Sequence, residues 1–200
     1  MKIINMIDFN LRPLSWSSMD QFNRDPEKWY NKYILNEAQS SNAGMDFGNV
    51  IGKEIASNPE FLKEVPRYDV FEKKLEAMID DVRLKGYIDS FNSKTKSFIE
   101  YKTSANVNKW NAKSAHEHGQ LLFYLFLIWK NYGLPPEKVK VKLVYIPVTE
   151  NNDFSMSLTD GGKIQVFDVK HTTLDVLQFA SLVKKTINAM RLYVHSRQVN

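Results

Sequence analysis

The sequence predicts an α/β fold with a central mixed sheet flanked by helices. Three observations carry this. Period-two alternation recurs in successive segments between Phe71 and Lys102. A wholly apolar run follows from Leu121 to Trp129, and then a strongly β-prone segment from Val139 to Val148. Strands interleaved with a buried helix make layers around one sheet.

Taken in order, Ser15-Trp16-Ser17-Ser18 opens a first helix. Ser15 or Ser17 can accept from an orphan backbone amide as N-cap, and Trp16, Met19 and Phe22 fall at helical spacing. Asp25-Pro26 interrupts, and Pro26 suits the first turn of a second helix bearing Trp29, Tyr30, Tyr33 and Ile34. Gln39 to Gly44 reads as a loop, and Met45 to Ser57 as a helix ending at Asn58-Pro59. Phe71, Lys73, Leu75, Ala77 and Ile79 share one parity, which predicts a strand, with a short helix as rival because Glu, Lys, Leu and Ala favour helices. After a turn at Asp80-Asp81 come a strand from Val82 to Ser90, a polar turn at Asn92-Ser93-Lys94 and a strand from Ser97 to Lys102, together an antiparallel meander. Asn106 to Lys113 is a polar loop containing Trp110. One long helix is expected from about Ala112 to Tyr132, with Gly133 as its C′ residue and Pro135-Pro136 beyond. Thr159-Asp160-Gly161-Gly162 between Phe154–Leu158 and Lys163–Val169 is a hairpin signal. Thr172 or Thr173 caps a last helix whose apolar positions run Leu177, Ala180, Val183, Ile187, Met190 and Val194. No linker or repeat splits the chain, so one domain over residues 1–200 is expected, with its core at about 45–148.

Composition narrows the function classes. The chain of 200 residues has no cysteine, which excludes disulfides, iron–sulfur clusters and thiolate zinc sites and fits a reducing cytoplasm. Met1 to Phe9 has no basic stretch followed by a long apolar one, so no signal peptide is expected. Leu121–Trp129 is far too short to cross a bilayer, so no membrane partner is expected. A net charge of +4 is compatible with a polyanion without requiring one. No glycine-rich phosphate loop is present to drive a nucleotide-hydrolysing motor.

The chemistry concentrates in Gly86-Tyr87-Ile88-Asp89 and Phe98-Ile99-Glu100-Tyr101-Lys102-Thr103. Residues two apart on a strand share a face, so Glu100 and Lys102 project together. The polar turn can bring Asp89 beside Glu100. Two converging carboxylates repel, and a divalent cation relieves that repulsion; hard oxygen donors with open positions suit Mg²⁺ or Mn²⁺. Lys102 can orient a water or stabilise charge on a phosphate. Such E-x-K triplets also arise by chance at solvated strand ends.

Together with Gln120-x-x-x-Tyr124 and the opening Ser15-x-Ser17, these segments resemble the RecB-like exonuclease branch of the PD-(D/E)XK nuclease superfamily, over roughly Leu14 to Leu192. The resemblance implies a restriction-endonuclease-like αβββαβ core and hydrolysis of DNA phosphodiesters in recombination, repair or phage DNA processing. It implies Asp89, Glu100 and Lys102 as catalytic residues. Asp89, Glu100 and the carbonyl of Tyr101 would be the metal ligands, with Lys102 positioning the attacking water. DNA is the implied substrate, and a helicase or recombination protein an expected partner. Two departures stand out. Many branch members carry a histidine four residues after the glycine of the first core helix; counting from Gly48 gives Gly52, leaving Glu54 or nearby Lys53 as substitutes. Asp25-Pro26-Glu27-Lys28-Trp29 lacks the cysteine that some members use for an iron–sulfur cluster.

Further substrate-binding candidates are Gln120, Tyr124, Lys109, Trp110 and His116. Gln120 reads equally as a helix-surface residue and Tyr124 as a core aromatic. Trp110 beside Lys109 suits either base stacking or a hydrophobic plug. On one continuous helix His116, Gln120 and Tyr124 would form a stripe facing the substrate. His116 and His118 do not converge for zinc at i, i+2. A non-catalytic DNA- or partner-binding module on the same scaffold is the rival from another class, and a structural protein without nucleic acid a weaker third.

Overall fold

A computed structural model describes residues 12–38, 43–153 and 155–199. Met1 to Phe9, residues 39–42 of the expected loop and Phe154 lie outside the described residues. The helices are α1 (Trp16–Arg24), α2 (Pro26–Tyr33), α3 (Ala43–Ser57), α4 (Ala112–His116), α5 (Gly119–Tyr132) and α6 (Thr173–Val199). The strands are β1 (Val70–Ile79), β2 (Val82–Phe91), β3 (Phe98–Ser104), β4 (Val141–Glu150), β5 (Met156–Leu158) and β6 (Gln165–Val169).

Local chemistry sets the helix starts. Ser15 caps α1 by accepting from Ser18 N–H at 3.2 Å, and Asp25 caps α2 by accepting from Lys28 N–H at 2.9 Å. At α6, Thr172 and Asp175 satisfy each other's backbone amides reciprocally, at 2.7 and 3.2 Å. Ala43 and Gly44 belong to α3, so that helix begins earlier than its apolar spacing suggests. Gly133 closes α5 at φ 65°, as its position predicted.

β1 is a strand, as its alternation predicts, and pairs antiparallel with β2 along its length. β2 pairs antiparallel with β3, and β3 pairs parallel with β4 through the α5 crossover. The sheet is therefore mixed. α5 packs on one face of it, where Phe98 meets Tyr124 edge-on and Leu84, Ile88, Leu143 and Tyr145 are buried. α3 packs on the other over β3 and β4, burying Ile51 and Ile55 against Ile99, Val144 and Ile146. Lys184 and Arg191 of α6 reach Asp80 and Asp81 at the β1–β2 turn, at 2.8 and 2.5 Å.

Two expectations need correction. The long helix from Ala112 is broken at Glu117-His118: Asn111 and Ser114 cap the start of the short α4, Glu117 ends it, and His118 is the N-cap residue of α5. The Thr159–Gly162 segment does not close a hairpin. β5 and β6 each pair antiparallel with β4, at opposite ends of the same edge. Pro147 of β4 has no N–H to give between them, and the intervening residues loop out there with Gly161 at φ 64°. No helix among the described residues is long and apolar enough to cross a membrane.

Candidate active site

β2 and β3 share only two paired positions, Ser90 with Ile99 and Phe91 with Phe98, and then separate. Side chains take over from the missing ladder. Asp89 Oδ2 accepts the backbone N–H of Tyr101 at 2.8 Å, and the Tyr124 hydroxyl donates to the carbonyl of Tyr87. Gly86 permits that second contact, because a Cβ there would sit 2.7 Å from Tyr124 Cε1 and 3.0 Å from Leu127 Cδ1. The fork opens into a cleft of about 1070 Å³ whose lining includes Glu72, Asp89, Glu100, Tyr101 and Lys102. Gly44, Gly48 and Gly52 of α3 form part of its wall, one helical turn apart.

Glu100 is only 2% exposed. Its Oε1 lies 2.7 Å from Lys102 Nζ, while its Oε2 is buried without a hydrogen-bond partner. Lys102 Nζ also donates to Gln120 Oε1 at 2.8 Å, and Gln120 Nε2 donates to the Tyr124 hydroxyl at 2.8 Å. His118 Nε2 is 3.3 Å from the same Gln120 oxygen. Burial and the neighbouring Glu100 charge push the Asp89 carboxyl well above the usual range. Burial opposes the charge on Lys102, but Glu100 and Asp89 outweigh it and hold the ammonium above its ordinary pKa. Burial, reinforced by Glu100 and Asp89, also raises the Tyr124 phenol.

Glu72 belongs to this cluster and was missed from sequence. Its neighbours Phe71 and Lys73 pair with Ser90 and Ile88, which puts it across from Asp89. It sits at φ 49°, an uncommon backbone for a non-glycine residue, and lines the cleft. Burial and then Glu100 raise its carboxyl pKa. Sequence alternation put Glu72 on the polar parity of β1; only the register reveals what it faces.

The site therefore gathers three carboxylates against one ammonium, with a buried carboxylate oxygen lacking a partner. A hard divalent cation fits that donor set. Among the described residues no three histidine or acidic side chains close into a ready-made metal cage. Two carboxylates and a backbone carbonyl with open positions suit an ion that keeps part of its water shell.

The other sequence candidates disperse. Lys109 lines the cleft. Trp110 is 8% exposed and lies edge-on to His118 with ring centroids 5.1 Å apart, a plug with little surface for a base. Tyr124 is buried and Gln120 partly so. Because the helix breaks after it, His116 leaves the stripe of Gln120 and Tyr124 and instead packs 4.5 Å from the His171 ring, at a separate cavity. Glu54 is exposed and is not among the cleft-lining residues, whereas Lys53 is. Ser15 and Ser18 act structurally, as α1 cap and as acceptor for Trp29 Nε1 at 2.9 Å.

A family model for the PD-(D/E)XK nuclease superfamily matches residues 53–197. The chain belongs to the PD-(D/E)XK nuclease superfamily. Solved structures of similar architecture accompany that match. One, described as a "putative exonuclease" from Eubacterium rectale, is 12% identical with a TM-score of 0.59 over 96% of this chain and 87% of that one. SSO0001 is 16% identical with a TM-score of 0.50 over 94% of this chain and 79% of that one. A phage-related exonuclease from Haemophilus somnus 129PT is 12% identical over 88% of this chain and 78% of that one, with a TM-score of 0.47 that carries no weight here. No curated protein matches the chain. At these identities the structures show the fold, the mixed sheet flanked by helices expected from sequence. In this PD-(D/E)XK chain, the Asp89, Glu100 and Lys102 that carried the sequence resemblance line one cleft.

Proposed function

We propose that this protein is a Mg²⁺- or Mn²⁺-dependent deoxyribonuclease of the RecB-like exonuclease kind, hydrolysing DNA phosphodiesters. The observation that carries the reading is the buried Glu100 carboxylate, with one oxygen on Lys102 and the other unpartnered, beside Asp89 in an open cleft. Asp89, Glu100 and the Tyr101 carbonyl would hold the ion. When bound, such an ion polarises a phosphoryl oxygen and lowers the pKa of a coordinated water.

The chain's own residues supply the rest. Lys102, held cationic by Glu100 and Asp89, orients water toward phosphorus and offsets charge developing on the phosphate. Gln120 fixes the direction of the Lys102 amine, and Tyr124 fixes Gln120. Arg24, Lys53 and Lys109 at the cleft suit phosphates on either side of the scissile bond. A cytoplasmic role in recombination, repair or phage DNA processing, beside a helicase or recombination protein, belongs to the same proposal.

The deciding assay compares end-labelled linear with closed circular DNA under Mg²⁺, Mn²⁺ and chelator. Metal-dependent loss of linear DNA with circles spared supports an exonuclease. Cleavage of circles makes it an endonuclease, and no cleavage in either metal overturns the reading. One observation favours a second reading, a DNA-binding module without catalysis. At Gly52, where many branch members carry a metal-binding histidine, an added Cβ would meet nothing within 4 Å, so the space for a larger side chain is left unused. DNA binding without cleavage would establish that alternative.

A further inference from the structure

β1 and β2 extend beyond the part of the sheet that α3 covers. Gly86 and Ile88 face α5, so Asp89, Tyr87, Lys85 and Arg83 share the opposite face. Their β1 partners there are Lys74 across from Tyr87, Glu76 across from Lys85 and Met78 across from Arg83. Tyr87 is 44% exposed and Met78 48%. Lys85 Nζ lies 5.6 Å from the Tyr87 ring centroid, and Lys74 pairs with Glu76 at 2.8 Å. Lys74 and Lys85 beside the single carboxylate of Glu76 leave this strip with a surplus of positive charge, in contrast to the acidic floor of the cleft. It begins one strand repeat, about 7 Å, from Asp89 and runs on to Arg83, about 20 Å in all.

We propose that this face of the β1–β2 hairpin is a track for single-stranded DNA leading to the cleft, with one base stacked on Tyr87 and phosphates beside Lys74 and Lys85. The proposal rests on the nuclease reading for its direction toward Asp89. An exposed ring offers a π face to an unstacked base, which a duplex keeps inside its stack. Tyr87 enters the site only through its backbone carbonyl, which accepts from the Tyr124 hydroxyl; its exposed ring, beside Lys85, lies outside that network.

The test measures binding of labelled oligothymidylate and of a blunt duplex by fluorescence anisotropy, with Ca²⁺ replacing Mg²⁺ and across a salt series. The variants are Tyr87→Ala, Tyr87→Phe and Lys74→Ala/Lys85→Ala. Tyr87→Ala should weaken single-strand binding about 5- to 100-fold and Tyr87→Phe by less than about twofold. The double lysine variant should reduce the log–log salt slope by roughly 1.4. Duplex affinity should be unchanged in Tyr87→Ala. Equal single-strand affinity in Tyr87→Ala and wild type, an equal loss in Tyr87→Phe, or an equal loss on duplex would each overturn the track. Cleavage by wild type under Mn²⁺ is read in parallel. Tyr87-dependent binding without cleavage would sink the nuclease reading and leave the track, whereas cleavage with Tyr87-independent binding would do the reverse.

Discussion

Gln120 Oε1 accepts a hydrogen bond from Lys102 Nζ at 2.8 Å, while its Nε2 donates to the Tyr124 hydroxyl at the same distance. One amide thus reads the position of β3 through the lysine and of β2 through the tyrosine, which holds the Tyr87 carbonyl. Gln120→Ala should lower cleavage about 10- to 100-fold, the range for residues that orient reacting groups. Single-turnover rates at saturating metal measure this. A loss recovered simply by adding metal would mean that Gln120 serves ion binding instead.

Asp89→Asn separates charge from structure, since the amide oxygen still accepts from Tyr101 N–H. The folded protein raises the Asp89 pKa, so it binds more protons than the unfolded chain above the ordinary carboxylate range. Without metal, that group's contribution to stability therefore falls as pH rises. Asp89→Asn should melt higher than wild type in chelator at neutral pH, lose the stabilisation given by Mg²⁺ or Mn²⁺, and cleave at least ~100-fold more slowly. Thermal melts with and without metal give the first two; an intact metal-induced shift would remove Asp89 from the ligand set.

Glu72→Gln should weaken Mn²⁺ binding about 10-fold and leave the melting temperature in chelator unchanged or higher. It removes a charge that adds to the repulsion around Glu100. Titration followed by Mn²⁺ electron paramagnetic resonance is the readout, and unchanged Mn²⁺ affinity would make Glu72 a bystander.

Gly86→Ala should cost about 1–3 kcal/mol, because the added methyl meets Tyr124 and Leu127 at 3.0 Å or less. Urea unfolding quantifies it. A neutral result would show that α5 moves away easily from β2.

Acid should destabilise the fold through two histidines. Burial, with Lys102 adding to it, brings His118 down to about 4; burial, with His116 adding to it, brings His171 to about 4. Both folded values lie below the ordinary 6.5, so the unfolded chain takes up more protons between these limits. Their stabilising contribution is complete above pH 6.5 and is lost as pH falls toward 4. His171→Phe should flatten the urea midpoint across that window, and parallel curves for variant and wild type would refute this account.

The strands, the buried α5 and the Asp89–Glu100–Lys102 cluster were legible because each depends on short-range periodicity or on a single turn. What escaped depends on register and edges. Glu72 looks like any outward strand residue until the pairing of its neighbours Phe71 and Lys73, which sets it across from Asp89, is known. The α4–α5 break falls just before Gly119, which packs against the Trp16 ring; a lone glycine inside an apolar-periodic stretch does not by itself mark a helix end. The Thr159–Gly162 turn chemistry was real, but β4 is long enough to pair with both flanking strands, so each took its edge instead of the other.

The parting of β2 from β3 gives Asp89 two employments. In the proposed nuclease its carboxylate is a metal ligand, and in the fold it is a substitute rung where the backbone ladder has stopped. A descendant that abandoned hydrolysis would still unravel at the fork if it discarded that oxygen. Such a lineage can thus keep an aspartate or asparagine here for architectural reasons alone, and loss of chemistry should register first at Glu100, whose second oxygen holds nothing together.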